Sequence, residues 1–411
     1  MTTRMTTRVE LKLERGPHLA IGLMSGTSHD GISAAIVEID ERRQPPIKLI
    51  AHASTSYVDR FRSRLLAAST AAGVAAGEVS ALNFELGALL GRAAISVMRE
   101  ARIEPRRISF IGSHGHTLAH SPPSRAAKRG TSVSTMQVGE SAVIAAMTGV
   151  PVVADFRPMD LAVGGQGAPL APLAHLWLFA DPRRTRVIQN IGGIANATHI
   201  PRARKLDRIR PMAFDTGPGV MMIDELAGRM SGGRMRMDRD GKLAAAGKID
   251  ERLLGELMND PYFKRRPPKS TGRENFGVEA LEKIELRARK LKVVGNDLIA
   301  TVTALTARSI ADACHRFIPG FDRGDQLIAT GGGAHNPTLM KMLANELPEL
   351  ELMMAADAGV DGDALESIAF AILGYQMLRG RPGNLPSVTG ARSQAILGKL
   401  TMPPLWRSPA R

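Results

Sequence analysis

Three glycine-bearing turns and one flanked carboxylate carry most of the chemistry open to this 411-residue chain. Gly26, Thr27, Ser28, His29, Asp30 and Gly31 make a polar turn between two apolar runs, 18–24 and 32–40. Glycines there let backbone N–H groups approach an anion, and hydroxyls can donate to phosphate oxygens. Asp30 could hold a magnesium ion directly or through water, although an ordinary hairpin turn uses the same residue types. Gly331, Gly332 and Gly333 follow a β-like run, 326–330, and precede a helical stretch, 337–347, a setting that suits a nucleotide or other anion. No G-x-G-x-x-G stands at that place and no G-x-x-x-x-G-K-[ST] occurs in the chain, so the dehydrogenase and P-loop readings lose support. FDTGPG, 214–219, puts Asp215 between an apolar residue and a Gly-Pro-Gly turn at an expected strand end. That is where a general base would stand. It is equally where an Asx-turn or the N-cap of a helix over 220–230 would stand.

Two further stretches bring polar groups together. Asp155, Arg157 and Asp160 lead into Gly164, Gly165, Gln166 and Gly167, acidic, basic and amide side chains beside flexible glycines, suited to a hydroxyl-rich ligand. Ser113-His114-Gly115-His116 ends another apolar run, and alternation along a strand would point His114 and His116 to one face. With no companion carboxylates to fix a geometry around His114, His116 and His120, no metal site is assigned. Ser113 lies outside a G-x-S-x-G elbow, so a serine hydrolase has little support.

The elements that must position these groups alternate between strand and helix. Runs 18–24, 32–40 and 47–55 read as strands. Helical stretches follow over 60–72 and 77–101, the second with Val79, Leu82, Leu86, Leu89 and Leu90 at helical spacing. Strands at 108–112, 135–139 and 150–154 come next, with a helix over 140–148. Run 187–190, a turn at Gly192-Gly193 and run 194–200 then repeat the opening pattern. Helices over 296–315 and 364–379 complete an α/β alternation. The two openings point to a duplicated unit.

Composition bounds the rest. At 44% hydrophobic and 23% charged, the chain is an ordinary globular one, long enough for two or three domains. One cysteine, Cys314, excludes a disulfide framework and any cysteine-based metal site. No apolar run reaches about 18 residues and the N-terminal segment lacks an apolar signal core, so a cytoplasmic protein without a membrane span is expected. The net charge of +14 comes from scattered arginines, and aromatics are only 4%, so a solvated basic surface suits the chain better than nucleic-acid binding.

Taken in order, LMSGTSHDG (23–31), GSHGHT (112–117), VVADFRPMDLAVGGQGAPL (152–170), NIGGIAN (190–196), FDTGPG (214–219), PKSTGRENF (268–276), TGGGAHNPTLM (330–340) and the segment 363–374 resemble the anhydro-N-acetylmuramic acid kinases. The resemblance runs nearly the whole chain. It implies an α/β fold of two actin-like ATPase (sugar kinase) domains facing each other across an active-site cleft. The first domain would take 1–160 plus about 385–411, and the second 161–384. It also implies ATP with Mg2+, an amino-sugar substrate, a cytoplasmic homodimer, and the phosphorylation of 1,6-anhydro-N-acetylmuramic acid with hydrolytic opening of its anhydro ring. The product would be N-acetylmuramic acid 6-phosphate, in peptidoglycan turnover.

Carried onto this sequence, the resemblance places ATP phosphates on Gly26, Thr27, Ser28, His29, Asp30, Gly31, Ile32 and Ser33 and on the matching turn at Asn190, Gly192 and Gly193. Gly331, Gly332 and Gly333 would lie against the adenosine. Asp215 matches the catalytic aspartate, and Asp155, Arg157, Asp160, Gln166 and Glu366 fall near the sugar. The chain departs from the family pattern at Ser33, where aspartate is usual, at His29 in place of leucine, and at His116 in place of glutamine. A kinase for a different amino sugar, or a catalytically weak ATP-binding regulator, would share the fold. Sugar-dependent ADP release separates these readings.

Overall fold

The computed structural model describes residues 13, 16–26, 29, 31–70, 73–123, 132–204 and 209–404. Thr27, Ser28 and Asp30 of the first turn lie outside the described residues, as does 124–131 of the basic loop. Contacts divide the chain into two units, Met1–Leu178 with Ala364–Arg411, and Phe179–Asp363.

In the first unit, β1 (His18–Ser25) and β2 (Gly31–Ile39) form the expected hairpin, and β3 (Ile47–Ser56) continues it antiparallel. β4 (Ile108–Ser113) lies parallel to β1, so a crossover must join β3 to β4. Helices Asp59–Ala68 and Ala76–Glu100 make it. The second of these is long and apolar enough to cross a membrane by length and composition, although half of that stretch is buried in the fold. Its apolar residues fall on one stripe. Leu82, Leu86 and Leu90 are fully buried in the first core cluster, each stabilising by about 1.5–3 kcal/mol relative to exposure. β5 (His116–Ser121) and β6 (Ser134–Val138) form a separate two-stranded sheet, and β7 (Val152–Ala154) adds parallel to β4.

The second unit repeats the order. β8 (Arg186–Ile191), β9 (Ile194–Ile200) and β10 (Met212–Pro218) are antiparallel neighbours. β11 (Gln326–Thr330) lies parallel to β8, and β12 (Glu351–Met354) parallel to β11. The sheets read β3-β2-β1-β4-β7 and β10-β9-β8-β11-β12, with the same sense at each step. The duplication expected from the two hairpin openings is present in the strand order of both sheets. Helix Asn296–Phe317, buried along most of its length, and helix Pro337–Glu346 cover this sheet.

The chain then returns to the first unit. β13 (Lys399–Thr401) pairs antiparallel with β7 at the sheet edge. Helix Leu365–Leu378 packs on β1, β4 and β2, and it sits so close that side chains beneath it must vanish. A Cβ on Gly22 would stand 1.7 Å from the Ser367 carbonyl oxygen, and one on Gly112 would stand 2.0 Å from that of Phe370. Neither neighbour can move, because each is helix backbone. Gly22→Ala is expected to lose about 3 kcal/mol, at the upper end of overpacking costs, read as a lower denaturant midpoint. Gly255→Ala is the control. A Cβ there, inside helix Glu251–Leu257, meets nothing within 4 Å and should stabilise by about 0.5–1 kcal/mol.

Candidate functional site

In the first unit β1 ends on a chain of buried hydrogen bonds. The Ser25 hydroxyl lies 2.6 Å from the Tyr57 hydroxyl and 2.8 Å from Nδ1 of His116. The His29 ring stands 4.7 Å from that of His116, centroid to centroid. Burial, and then the neighbouring His29 charge, push His116 down to about 4, so it is neutral at physiological pH. Within the turn, the His29 N–H donates to the Gly26 carbonyl. Gly31 is required where β2 begins, because a Cβ there would lie 2.2 Å from the Thr55 carbonyl oxygen. Ile32 is a core residue, 3% exposed, so only its backbone can face a ligand. Ser33 does not replace an aspartate with a free hydroxyl. Its Oγ is 2.9 Å from Nε2 of His52 and 3.1 Å from Oγ of Ser367.

His114 and His116 do not share a strand face. Gly115, at φ +69, turns the chain between β4 and β5, and each imidazole finds its own partners. Nδ1 of His114 donates to the Gly115 carbonyl at 3.0 Å, which leaves Nε2 as an acceptor. Arg157 fills it twice, from Nε at 3.0 Å and from Nη2 at 2.9 Å, and donates from Nη1 to the Gly167 carbonyl at 2.7 Å. Burial and the Arg157 charge hold His114 well below the ordinary histidine range. Burial also lowers Arg157, to about 10, against the opposing pull of the Glu366 carboxylate. Arg157, His114 and Glu366 therefore form one cluster, with Glu366 exposed in the first turn of helix Leu365–Leu378.

The other expected sugar-side residues have separate places. Asp160 is completely buried and its carboxylate is engaged three times. It accepts from the Gly167 N–H at 2.7 Å, from Nδ2 of Asn384 at 2.8 Å and from Oγ1 of Thr389 at 2.8 Å. It holds the glycine loop and has no surface to offer a sugar. Asp155, at φ +58 after β7, pairs with Nζ of Lys399 at 2.8 Å on the surface. Gln166 is exposed, and its amide donates to the Pro123 carbonyl at 2.9 Å.

In the second unit, glycines again permit close approach of backbone to backbone. The carbonyls of Gly192 and Gly193 accept from the N–H groups of Val220 and Gly219 at 2.9 and 3.0 Å. The turn is thereby tied to the start of helix Met221–Met230. A Cβ on Gly331, at φ +79, would meet the Asn190 side-chain oxygen at 2.4 Å. Over Gly332, by contrast, a Cβ would meet nothing within 4 Å, so the triple glycine presents open backbone. These features fit a phosphate or a flat nucleoside face.

Asp215 lies in the middle of β10, not at its end, beside a register shift between Asp215 and Gly217. Nor does it cap the following helix, whose N-cap, Val220, has no side-chain bond. Three bonds clamp it instead. Its N–H donates to the Lys269 carbonyl at 3.1 Å, its carbonyl accepts from the Tyr262 hydroxyl at 2.7 Å, and its Oδ2 accepts from the Thr271 N–H at 2.9 Å. Oδ1 carries no hydrogen bond among the described residues. Burial raises the carboxyl to about 6, opposed by the Thr271 N–H and the Lys269 charge and reinforced by Glu274. Sequence reasoning assigned no role to Tyr262, Lys269 or Thr271. PKSTGRENF contains Lys269 and Thr271, but Thr271 is 56 residues from Asp215, and Tyr262, 47 residues away, lies outside the motif.

A family model described as Anhydro-N-acetylmuramic acid kinase matches residues 18–403. A protein of that name from Caldanaerobacter subterraneus subsp. tengcongensis is 40% identical over 397 residues, covering 96% of this chain and 99% of the relative. Another of that name, from Bacillus thuringiensis subsp. konkukian, is 38% identical and covers 94% of this chain and 99% of the relative. Among solved structures, component A of the (R)-2-hydroxyglutaryl-CoA dehydratase of Acidaminococcus fermentans aligns with a TM-score of 0.44 at 11% identity, over 88% of this chain and 99% of that one.

The raised carboxyl carries a stability consequence. A folded-state value of about 6 against an ordinary 3.8 means that ionising Asp215 disfavours the native state. Its stabilising share is complete below the unfolded value and is lost as pH rises through about 6. Asp215→Asn is therefore expected to unfold at a higher temperature than the native chain at pH 7.5. The gain should shrink toward pH 4, as calorimetry at the two pH values would show.

Proposed function

Since the chain belongs to the anhydro-N-acetylmuramic acid kinase family, we propose that Asp215 is the base of its reaction. That reaction is a sugar-kinase reaction of peptidoglycan recycling, in which 1,6-anhydro-N-acetylmuramic acid is phosphorylated at the expense of ATP and its anhydro ring is opened by water. The observation that carries the reading is a half-buried carboxylate clamped through Oδ2, raised to about 6, with Oδ1 left for a water. Asp215 takes a proton from water as its oxygen attacks the anomeric carbon, and the bond from that carbon to O6 breaks. O6 takes the γ-phosphoryl group from ATP, the bond between the γ-phosphorus and the β,γ-bridging oxygen breaks, and ADP leaves.

The rest of the chain positions and neutralises. Phosphoryl transfer depends mainly on placement and charge. The turn at 26–33, with Asn190, Gly192 and Gly193, is proposed to hold the phosphates, and Gly331, Gly332 and Gly333 the adenosine. Ile32 would contribute backbone alone. Magnesium would supply charge neutralisation on the nucleotide, and Asp30 is the turn carboxylate available to hold it through water. No group of three or more metal-ligating side chains converges among the described residues. The cation of Arg157, with Glu366 beside it, is the charge proposed to meet the sugar. Asp160 acts one step back, through the loop it holds. A cytoplasmic homodimer, indifferent to nucleic acid and membrane, completes the proposal and rests on the family alone.

Loss of a general base costs about 10²–10⁴ in rate. Asp215→Asn is expected to bind ATP normally and to lose ADP release dependent on the anhydro sugar by at least the lower of those factors. Near-normal turnover in the variant removes Asp215 from the role. In the native chain the base must be ionised, so kcat should fall as pH drops through about 6.

A further inference from the structure

Behind Asp215 lies a buried ammonium group that the reaction as described does not use. Lys269 is 5% exposed. Its Nζ stands 4.7 Å from the ring centres of both Tyr262 and Phe317 and 5.9 Å from that of Phe214. Among the described residues its Nζ makes only long hydrogen bonds, at 3.5 and 3.4 Å, to the carbonyls of Tyr262 and Phe263. It has no ion pair among the described residues, and the facing Asp312 is held by Arg316 at 2.7 Å. Burying a charge without a counter-ion is costly, and three ring faces offset only part of that cost. A methionine of similar length would fill the same space with no desolvation penalty. Packing therefore does not account for a lysine here.

Its connections do. The Lys269 carbonyl receives the Asp215 N–H, Thr271 two residues on donates to Oδ2, and Tyr262, whose ring lines the cage, donates to the Asp215 carbonyl. All three contacts on Asp215 come from the segment that the caged ammonium ties down. We propose that Lys269 is a positioning residue for the base, its caged cation fixing the 262–271 segment that clamps Asp215 and holding a positive charge behind the carboxylate. This rests on the reading of Asp215 as base. Burial lowers Lys269 itself, to about 8, so it remains charged through the pH range in which Asp215 ionises. The charges facing Asp215 are Lys269 and Glu274, with the Tyr262 hydroxyl beside its backbone. Those facing Lys269 are Asp312, Arg265, Arg316 and Asp215. Because Lys269 opposes the rise of the Asp215 carboxyl, removing its charge lets that carboxyl rise further, and the acid limb of turnover moves to higher pH.

The test compares kcat and KM for the anhydro sugar from pH 5 to 9 in the native chain, Lys269→Met and Lys269→Arg, with thermal unfolding and ATP binding as controls. Lys269→Met is expected to fold at least as stably, bind ATP unchanged, lose roughly 10- to 100-fold in kcat with KM little altered, and shift the acid limb upward. Lys269→Arg should return the limb toward its native position. An acid limb that stays in place in Lys269→Met overturns the proposal, whatever happens to kcat, since a merely structural lysine would lower the rate without moving it. If Lys269→Met does not fold, Lys269→Gln carries the same comparison. Asp215→Asn assayed alongside separates the two ideas: an active Asp215→Asn removes the base reading, whereas an inactive one beside an unmoved limb removes only the lysine.

Discussion

Backbone meets backbone in both units at distances that leave no room for a Cβ, and the placement of every turn follows from that. Helix Leu365–Leu378 rests directly on Gly22 and Gly112 of β1 and β4, the strands that lead into the polar turn and into His114. In the second unit a Cβ on Gly219 would lie 2.0 Å from the Gly192 carbonyl oxygen, and one on Gly333 would lie 2.9 Å from that of Ile191. Turns held this way are set by main-chain atoms, which have no rotamers to relax into. The proposed phosphate role of these turns would draw on that rigidity, since phosphoryl transfer needs fixed groups more than it needs reactive ones.

Polar groups in the first unit are arranged mostly to hold each other. Asp160 spends its carboxylate on the loop Gly165–Gly167 and on Asn384 and Thr389, and His114 spends its acceptor nitrogen on Arg157. A guanidinium oriented by a neutral imidazole and a backbone carbonyl keeps its direction while remaining charged. Glu366 stabilises that charge from an exposed position. The residues that looked like a set of equivalent sugar contacts thus separate into a largely buried guanidinium and the groups that hold it in place.

The carboxylate proposed as the base follows the same division, with the opposite charge. Desolvation raises the Asp215 carboxyl to about 6, and the nearby Lys269 cation limits that rise. The clamp fixes one carboxylate oxygen and leaves the other. Departures from the family pattern at His29 and His116 form a contacting pair beside Ser25 rather than two unrelated changes, and the departure at Ser33 is absorbed by bonds to His52 and Ser367.

Most strands, several of the long helices and the duplicated hairpins were legible in the sequence, because strand and helix periodicity are local properties and the two openings share a pattern; the strands His116–Ser121 and Glu351–Met354 and the helix Val278–Lys290 were not. So was the candidacy of Asp215, from its place between Phe214 and a Gly-Pro-Gly turn. What its carboxylate does was not legible: the sequence allowed a cap as readily as a base. The structure excludes the cap, and the clamp on which the base proposal rests comes from Thr271, Tyr262 and Lys269, brought onto β10 from a segment about fifty positions away. Asp160 shows the converse. Its neighbours in sequence suggested a ligand contact, while its true partners, Asn384 and Thr389, lie 224 and 229 residues off. Residue type and spacing determined which chemistries were available to the chain. Burial and long-range hydrogen bonds decided which side chains could exercise them, because desolvation and the geometry of a partner's donor exist only once distant segments have packed.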